Sequence, residues 1–228
     1  MAHPWQLAIL LLGSYLLGSI PFGLIIARLR GVDIRRLGSG NAGATNVGRV
    51  MGRPWGLLVL LLDAGKGATA VLVAGWWLNR PNQDAVILSI AGRDLIWLGA
   101  GALCVLGNIL PVFSAFRGGK GVATSLGVVL GIHPFLTYPG LAAIVLWAVV
   151  VRLSGYVSLG SIVAAASLPI GFVVASALTG WPLSQHYPLL ALTIALSGTV
   201  LIRHRSNIAR LLAGTENRAR GRGPETSP

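Results

Sequence analysis

The chain has 228 residues, of which 54% are hydrophobic and only 11% are charged. A soluble domain carries about 25% charged residues, and a core of this size cannot hide so many apolar side chains from water. A soluble enzyme and a mostly disordered chain are therefore excluded. Because the apolar runs are continuous and do not alternate with polar residues, the sequence predicts an all-α polytopic membrane protein and not a β-barrel.

The formal net charge is +12, from 18 basic and 6 acidic residues. A basic protein that binds nucleic acid presents its charge on one face of a soluble fold, which this chain lacks, so no nucleic-acid partner is expected. The single cysteine, Cys104, excludes an internal disulfide framework and a multi-cysteine metal site. No metal is predicted.

The first apolar run covers residues 5–27 and is followed, not preceded, by basic residues. This pattern predicts a permanent span with its N-terminus outside. The second and third runs cover residues 55–78 and 95–113. Between them, residues 79–94 are largely polar and are expected to form an external loop with a short interfacial helix.

Residues 121–151 carry no charge at all. One helix of that length would be about 46 Å long, against a hydrocarbon core of about 30 Å. Glycine and proline residues interrupt the run, so two short or tilted helices with an external turn near residues 133–140 are predicted. The sixth and seventh runs cover residues 157–178 and 188–202.

Seven transmembrane helices place the N-terminus outside and the C-terminus in the cytoplasm. All basic residues except Arg80, Arg93 and Lys66 then lie on the cytoplasmic side, as the positive-inside rule requires. Six spans would move the basic residues near the C-terminus outside. The sequence thus predicts one transmembrane domain, residues 1–214, with Gly-rich cytoplasmic loops, followed by a basic, disordered cytoplasmic tail, residues 215–228.

The first of these loops consists of glycine, alanine and small polar residues and ends in an arginine. Glycines let several backbone N–H groups point into one concavity, which suits phosphate, and an arginine fork suits phosphate oxygens. A flexible linker is the alternative, but linkers rarely carry such a set of amides. The candidate ligands are Gly38, Ser39, Gly40, Asn41, Gly43, Thr45, Asn46 and Arg49.

The second loop contains Gly118, Gly119, Lys120 and Gly121 and opens a predicted helix. Helix N-termini bind anions because their N–H groups are unpaired. The loop is not a Walker A motif, since a glycine follows the lysine, so a nucleotide triphosphatase is disfavoured. The alternative is that Lys120 only anchors the span at the lipid headgroups. That role would not explain the three glycines around it.

Two further polar pairs precede or follow predicted spans. Ser158 and Ser161 start a helix three residues apart, and His204 and Asn207 share the same spacing, so each pair lies on one helical face. Taken alone, a serine here could be an N-cap and the histidine could be structural. Because all these segments converge on one membrane face, phosphate recognition at the bilayer surface is the favoured interpretation.

Asp63 and Lys66 lie three residues apart inside the second predicted span. An unpaired charge there costs several kcal/mol, so the two side chains are expected to pair and to face the bundle interior. Whether the pair is structural or part of the site stays open.

These motifs resemble, in order, those of the bacterial acyl-phosphate:glycerol-3-phosphate acyltransferase family, a family of integral membrane enzymes. The resemblance rests on residues 38–49, 63–67, 116–124, 158–161 and 204–208, with Gly214 and Glu216. One departure is Asn108, where the family usually has histidine.

The resemblance implies transfer of a long-chain acyl group from acyl phosphate to the 1-hydroxyl of sn-glycerol 3-phosphate. The products would be 1-acyl-glycerol 3-phosphate (lysophosphatidic acid) and phosphate, in the first step of phospholipid synthesis. It also implies no cofactor, CoA or metal, contact with membrane lipids, and a functional link to the enzyme that makes acyl phosphate. The location would be the bacterial inner membrane, with the active site on the cytoplasmic face.

By the same resemblance, Gly118, Gly119, Lys120 and Gly121 bind glycerol 3-phosphate. The expected catalytic residues are Ser39, Arg49, Lys120, Ser158, His204 and Asn207, and the other named loop residues and Ser161 bind substrate. The general base could be His204 or a substrate phosphate oxygen, and a covalent acyl-enzyme on Ser39 or Ser158 is a third alternative.

A transporter or channel for a small phosphate ester is the alternative from another functional class. Anion-binding helix ends and glycine-broken spans suit it as well. It requires polar groups along a path between both faces, whereas the polar motifs of this chain gather on one face.

Overall fold

The structure is a computed structural model that describes residues 4–79 and 89–218. Ten α-helices make up most of these two ranges. They are α1 (Pro4–Gly18), α2 (Phe22–Leu29), α3 (Ala44–Met51), α4 (Arg53–Leu78), α5 (Ile90–Ile109), α6 (Val122–Gly131), α7 (Thr137–Ser154), α8 (Val157–Thr179), α9 (Leu183–Arg203) and α10 (Arg205–Leu212).

Within the described residues, six helical segments are long and apolar enough to cross a membrane, counting α1 and α2 as one. The predicted all-α polytopic membrane fold is confirmed. The predicted pair of helices within residues 121–151 is also present, as α6 and α7. Because α6 has only 10 residues and is about 15 Å long, the count of seven spans stays a prediction.

The first apolar run is one segment in the sequence but two helices in the structure. Pro21 at the break has no N–H group, and the break leaves the carbonyl of Ile20 without a helical partner. The ammonium of Lys66 donates to this carbonyl at 3.0 Å and lies 2.8 Å from a carboxylate oxygen of Asp63. The predicted Asp63–Lys66 pair is thus present, and it ties α4 to the α1–α2 break.

Helices α4 and α6 pack with their backbones in close contact. A Cβ atom on Gly67 would lie 2.2 Å from the carbonyl oxygen of Thr124, and one on Gly127 would lie 1.8 Å from that of Ala64. Only glycine fits at these positions. The high glycine content therefore serves helix packing as well as the loops.

The segments predicted as external loops differ from the structure in part. Residues 80–88 lie outside the described residues, so the predicted interfacial helix is untested there. Helix α9 begins at Leu183, and His186, which was expected in a loop, is buried in it, 2.7 Å from a carboxylate oxygen of Asp94 in α5. Pairing between two distant polar groups allows a segment that is polar in sequence to be buried.

Candidate functional site

A cavity of about 190 Å³ lies at the end of the bundle where α3, α6 and α8 begin. Their first residues, Ala44, Val122 and Val157, all line it. The first N–H groups of a helix lack intrahelical partners, and the N-terminus carries the positive end of the helix dipole. Three such ends around one cavity favour an anionic ligand.

The first glycine-rich loop forms one wall of this cavity. Ser39, Asn41, Gly43, Thr45 and Arg49 line it, and all five are among the residues predicted to be catalytic or to bind substrate. The loop is not all coil, because α3 begins directly after Gly43. Arg49, in the last turn of α3, makes no hydrogen bond or ion pair with any described residue, so its guanidinium is available to a ligand.

The amide side chains of this loop have different roles. Asn46 is buried, accepts a hydrogen bond from the Ser39 N–H at 2.8 Å and donates to the Leu37 carbonyl at 3.0 Å. It lines the cavity but is committed to holding the loop. The side-chain oxygen of Asn41 accepts from the Gly43 N–H at 3.0 Å, which leaves its NH₂ group without a partner in the described chain.

Gly38 and Gly40 are not among the residues that line the cavity. Their φ angles are +60° and +69°, a region that favours glycine, and they turn the chain into the cavity wall. Their predicted contact with substrate remains a prediction, and their structural contribution is the shape of the loop.

The second glycine-rich loop is held against the end of α5. The N–H of Gly118 donates to the Ile109 carbonyl at 3.2 Å, and that of Gly119 donates to the Asn108 carbonyl at 3.1 Å. Gly119, Lys120 and Gly121 line the cavity, whereas Gly118 lies behind it. A Cβ atom on Gly118 would be 2.0 Å from the Asn108 carbonyl oxygen, so close packing explains this glycine.

Lys120 is held by a network that reaches α10 and the chain beyond it. Its ammonium donates to the side-chain oxygen of Asn207, and the Asn207 NH₂ group donates to Glu216 at 2.7 Å. Glu216 also accepts from the Ser158 hydroxyl at 2.9 Å and from Arg210 at 2.8 Å. One carboxylate thereby orients three donors around the cavity.

Glu216 was not predicted as a site residue, although its position matched a family motif. The boundary predicted at residue 214 assigned it to the tail, whereas its side chain is only 6% exposed in the site. A carboxylate in a basic, glycine- and proline-rich stretch gives no local signal of its distant partners. Of the predicted disordered tail, residues 219–228 lie outside the described residues.

The electrostatics of the cavity favour bound anions. Burial lowers the pKa of Lys120 to about 8, with Glu216 opposing this shift and nearby guanidinium groups adding to it. Burial raises the pKa of Glu216, but hydrogen bonds from Asn207, Ser158 and Arg210 outweigh it and hold that pKa below its ordinary value. At pH 7 Glu216 is ionised and Lys120 is mostly protonated.

His204, between α9 and α10, is buried and lines the cavity. Its Nδ1 lies 2.8 Å from the Val200 carbonyl, which can only accept, so this nitrogen carries the proton and Nε2 keeps its lone pair. Burial first, and then the charge of Lys120, lowers the pKa of His204 to about 4. The imidazole is therefore neutral at pH 7 and acts as an acceptor.

The charges that line the cavity do not cancel. Asp63 pairs with Lys66, which lies outside the lining, and Glu216 pairs with Arg210 at 2.8 Å. Arg49 and Lys120 remain as two cations without a carboxylate partner among the described residues. The charge of the lining therefore favours phosphorylated ligands.

A second cavity of about 230 Å³ adjoins the first and is almost entirely apolar. Four residues line both cavities: Leu60, Val122, Trp147 and Ser161. The hydroxyl of Ser161 donates to the Val157 carbonyl at 2.9 Å, so this predicted substrate ligand is satisfied within α8. A polar cavity joined to an apolar one suits a ligand with a charged head and an acyl chain.

Comparison with known proteins decides the family. The chain matches the family model described as glycerol-3-phosphate acyltransferase over residues 8–214. It is 44% identical over 207 residues to the glycerol-3-phosphate acyltransferase of Geobacter sulfurreducens, covering 90% of this chain and 93% of the relative. The chain belongs to the glycerol-3-phosphate acyltransferase family. The resemblance inferred from the motifs is thereby confirmed.

Other members of the glycerol-3-phosphate acyltransferase family are similar to this chain over nearly its whole length. The enzyme of Staphylococcus aureus strain Newman is 42% identical over 212 residues, 92% of this chain and 96% of the relative. A crystal structure of PlsY, an integral membrane glycerol 3-phosphate acyltransferase in its glycerol 3-phosphate form, is similar with a TM-score of 0.77 and 39% identity. It covers 93% of this chain and 95% of that chain. A lysophosphatidic acid form of PlsY matches equally well, with a TM-score of 0.77.

Proposed function

We propose that the protein transfers a long-chain acyl group from acyl phosphate to the 1-hydroxyl of sn-glycerol 3-phosphate, yielding 1-acyl-glycerol 3-phosphate and phosphate. The observation that carries this proposal is that two cations without a carboxylate partner in the described chain, Arg49 and Lys120, line a cavity that adjoins an apolar one. Both proposed substrates carry phosphate, and one carries an acyl chain.

Arg49, Ser39 and Asn41 on the first loop would hold the acyl phosphate and stabilise charge on its carbonyl oxygen. Lys120, with the glycine backbone of the second loop, would bind the phosphate of glycerol 3-phosphate. Preorganised donors of this kind supply a large part of catalysis in acyl transfer. Because the mixed anhydride is already activated, positioning and charge neutralisation suffice for much of the remaining rate.

Direct transfer is favoured over an acyl-enzyme. A serine nucleophile needs an adjacent base. Ser158 donates to Glu216, but three donors share that carboxylate and its pKa is lowered, which makes it a weak base. The hydroxyl of Ser39 makes no hydrogen bond to any residue that the structure describes.

His204 would orient the attacking 1-hydroxyl through Nε2, while a substrate phosphate oxygen takes the proton. With a pKa of about 4, His204 is a weaker base than a phosphate monoester, whose second pKa is about 6. We expect His204→Gln to lower kcat by about 10-fold to 100-fold with little change in KM, because only orientation is lost. A loss of about 10⁴-fold in steady-state assays, the upper range for a general base, would instead make His204 the base.

The apolar cavity would hold the acyl chain. Ala143 is buried in its wall, whereas its neighbour Ala142 is exposed on α7. Ala143→Phe is expected to fill the cavity and to lower kcat/KM for palmitoyl phosphate by about tenfold, the cost of about two displaced methylene groups, while octanoyl phosphate is much less affected. Ala142→Phe is the matched control. Equal effects of Ala143→Phe on both donors would place the chain elsewhere.

The proposed setting is the bacterial inner membrane, with the site on the cytoplasmic face. Arg30 after α2, Arg152 in the last turn of α7 and Arg205 after α9 lie at the same end of the bundle as the cavity, which supports this orientation. The end of α5 and the start of α8 both line the cavity, so α6 and α7 must lead away from it and back. This supports α6 as a short seventh passage.

The direct test mixes the purified protein with palmitoyl phosphate and glycerol 3-phosphate and follows lysophosphatidic acid and phosphate. Equimolar formation of both is expected. Flux of glycerol 3-phosphate into vesicles without acyl transfer would overturn the proposal. The donor requires a supplying enzyme that converts an acyl carrier thioester and phosphate to acyl phosphate, and we propose a functional link to it.

A further inference from the structure

The polar cavity has a corner behind the two glycine-rich loops. There it meets a third, small cavity of about 20 Å³. The two spaces share four lining residues: Gly43, Asp63, Asn108 and Gly119. Two of these have polar side chains, Asp63 from α4 and Asn108 from the end of α5. None of the proposed steps above uses either of them.

Asn108 lies next to the loop assigned to the acceptor substrate. Its backbone carbonyl accepts from the Gly119 N–H at 3.1 Å. A Cβ atom on Gly119 would be 3.2 Å from the side-chain oxygen of Asn108 and 3.9 Å from that of Asn41. Two carboxamides thus flank Gly119 at the cavity wall, and a Cβ atom there would press on that of Asn108.

The carboxamide of Asn108 is half-buried and makes no hydrogen bond within the described parts of the chain. It offers both a donor and an acceptor to a ligand. A hydroxyl group is also both donor and acceptor, so a neutral amide matches it. Arg49 and Lys120 are already assigned to the phosphate groups, so Asn108 is left for another part of the substrate.

The carboxylate of Asp63 points to the same ligand chemistry. Its side chain is 11% exposed, and its carboxylate is fixed by Lys66 at 2.8 Å. An ionised carboxylate can only accept hydrogen bonds, so it has no donor for a phosphate oxygen, whereas it accepts a hydrogen bond from a hydroxyl group. The corner is therefore suited to the uncharged part of a phosphorylated polyol.

We propose that Asn108 and Asp63 form a hydroxyl-binding corner that takes the 2-hydroxyl of glycerol 3-phosphate and so makes the acceptor site specific for a polyol phosphate. This inference rests on the proposed acyl transfer and adds specificity residues to it.

The test compares glycerol 3-phosphate with 3-hydroxypropyl phosphate, which keeps the reacting hydroxyl and the phosphate but lacks the 2-hydroxyl. Asn108→Ala in the full-length protein is expected to lower kcat/KM for glycerol 3-phosphate about tenfold, and for 3-hydroxypropyl phosphate less than about twofold, because the lost hydrogen bond exists only in the first complex. Asn79→Ala, an amide substitution at the end of α4 distant from the cavity, is the control. Equal losses on both acceptors would overturn the inference.

Asp63 needs a paired design, because Asp63→Asn alone leaves Lys66 buried without a counter-charge. The double variant Asp63→Asn, Lys66→Met removes both charges. We expect it to reduce the preference for glycerol 3-phosphate over 3-hydroxypropyl phosphate by about tenfold, a ratio that misfolding cannot change selectively. An unchanged ratio in an active double variant would contradict the role of Asp63. Absence of acyl transfer in the wild type would contradict the proposed function instead.

Discussion

Replacing Lys120 by methionine is expected to lower kcat/KM for glycerol 3-phosphate by about 10²- to 10³-fold, the effect of removing one preorganised charge-stabilising donor. The ammonium is half-buried beside the glycine-rich backbone, and its neighbour in the network, Asn207, is not charged. Methionine keeps the length and apolar stem of the side chain, so the loss reports the charge. Steady-state kinetics with both substrates varied would measure it.

Arg152→Met is the matched control, because Arg152 is an exposed basic residue in the last turn of α7 and does not line the cavity. This variant should keep wild-type kinetics. Wild-type kinetics in Lys120→Met would remove Lys120 from the acceptor site and leave Arg49 as the phosphate ligand.

The pKa of Lys120, about 8, sets a pH dependence for the same interaction. Below pH 8 the side chain is mostly protonated and binds phosphate, and above pH 8 it is mostly neutral. The kcat/KM of the wild type should thus fall as pH rises through 8. In Lys120→Arg the guanidinium stays charged, so this alkaline decline should disappear even though overall activity is reduced. The same decline in both proteins would assign it to another group.

Glu216→Ala is expected to lower kcat/KM by about 100-fold. The substitution removes the acceptor of Ser158, Asn207 and Arg210 at once, and a buried charged hydrogen-bond network contributes about 1.5–3 kcal/mol per bond. Asn207 then no longer holds Lys120 in place. Because these groups act through orientation, kcat should fall as well as the affinity for glycerol 3-phosphate.

Two truncations provide a sharper version of this experiment. A chain ending at residue 214 lacks Glu216 and should be nearly inactive, whereas a chain ending at residue 218 keeps it and should retain most of the activity. Thermal unfolding in detergent would check that both remain folded. Equal activity of the two truncated proteins would show that Glu216 does not organise the site.

Much of the fold was predictable from the sequence because membrane spans are determined by local composition. A span needs about 20 apolar residues, and the runs that satisfy this can be located directly. As a single helix, residues 121–151 would be longer than the bilayer is thick, and glycine and proline residues interrupt them, so their division into α6 and α7 was predictable. The break between α1 and α2 was missed although Pro21 is a local signal for it. The partner of the Ile20 carbonyl, Lys66, is far away in sequence and could not be predicted.

The candidate site likewise contains residues that were predictable from the sequence and residues that were not. Arg49 and Lys120 were predictable because glycine-rich loops with one cation are an unusual local pattern, and the cavity contains both. Asn46 was predicted to bind substrate, but its side chain is used within the loop. Such commitments depend on which donors and acceptors lie nearby, and the sequence does not contain those distances.

The sequence by itself determined that this is a helical membrane protein of the acyltransferase family, and it predicted phosphate-binding loops, since hydrophobicity and motif spacing are properties of short segments. Only the tertiary structure decided that Glu216 orients Ser158, Asn207 and Arg210, that His204 is held neutral, and that Asn108 and Asp63 share a corner. These features arise from burial and from hydrogen bonds between residues far apart in the chain. Their free energies exist only once the helices are packed.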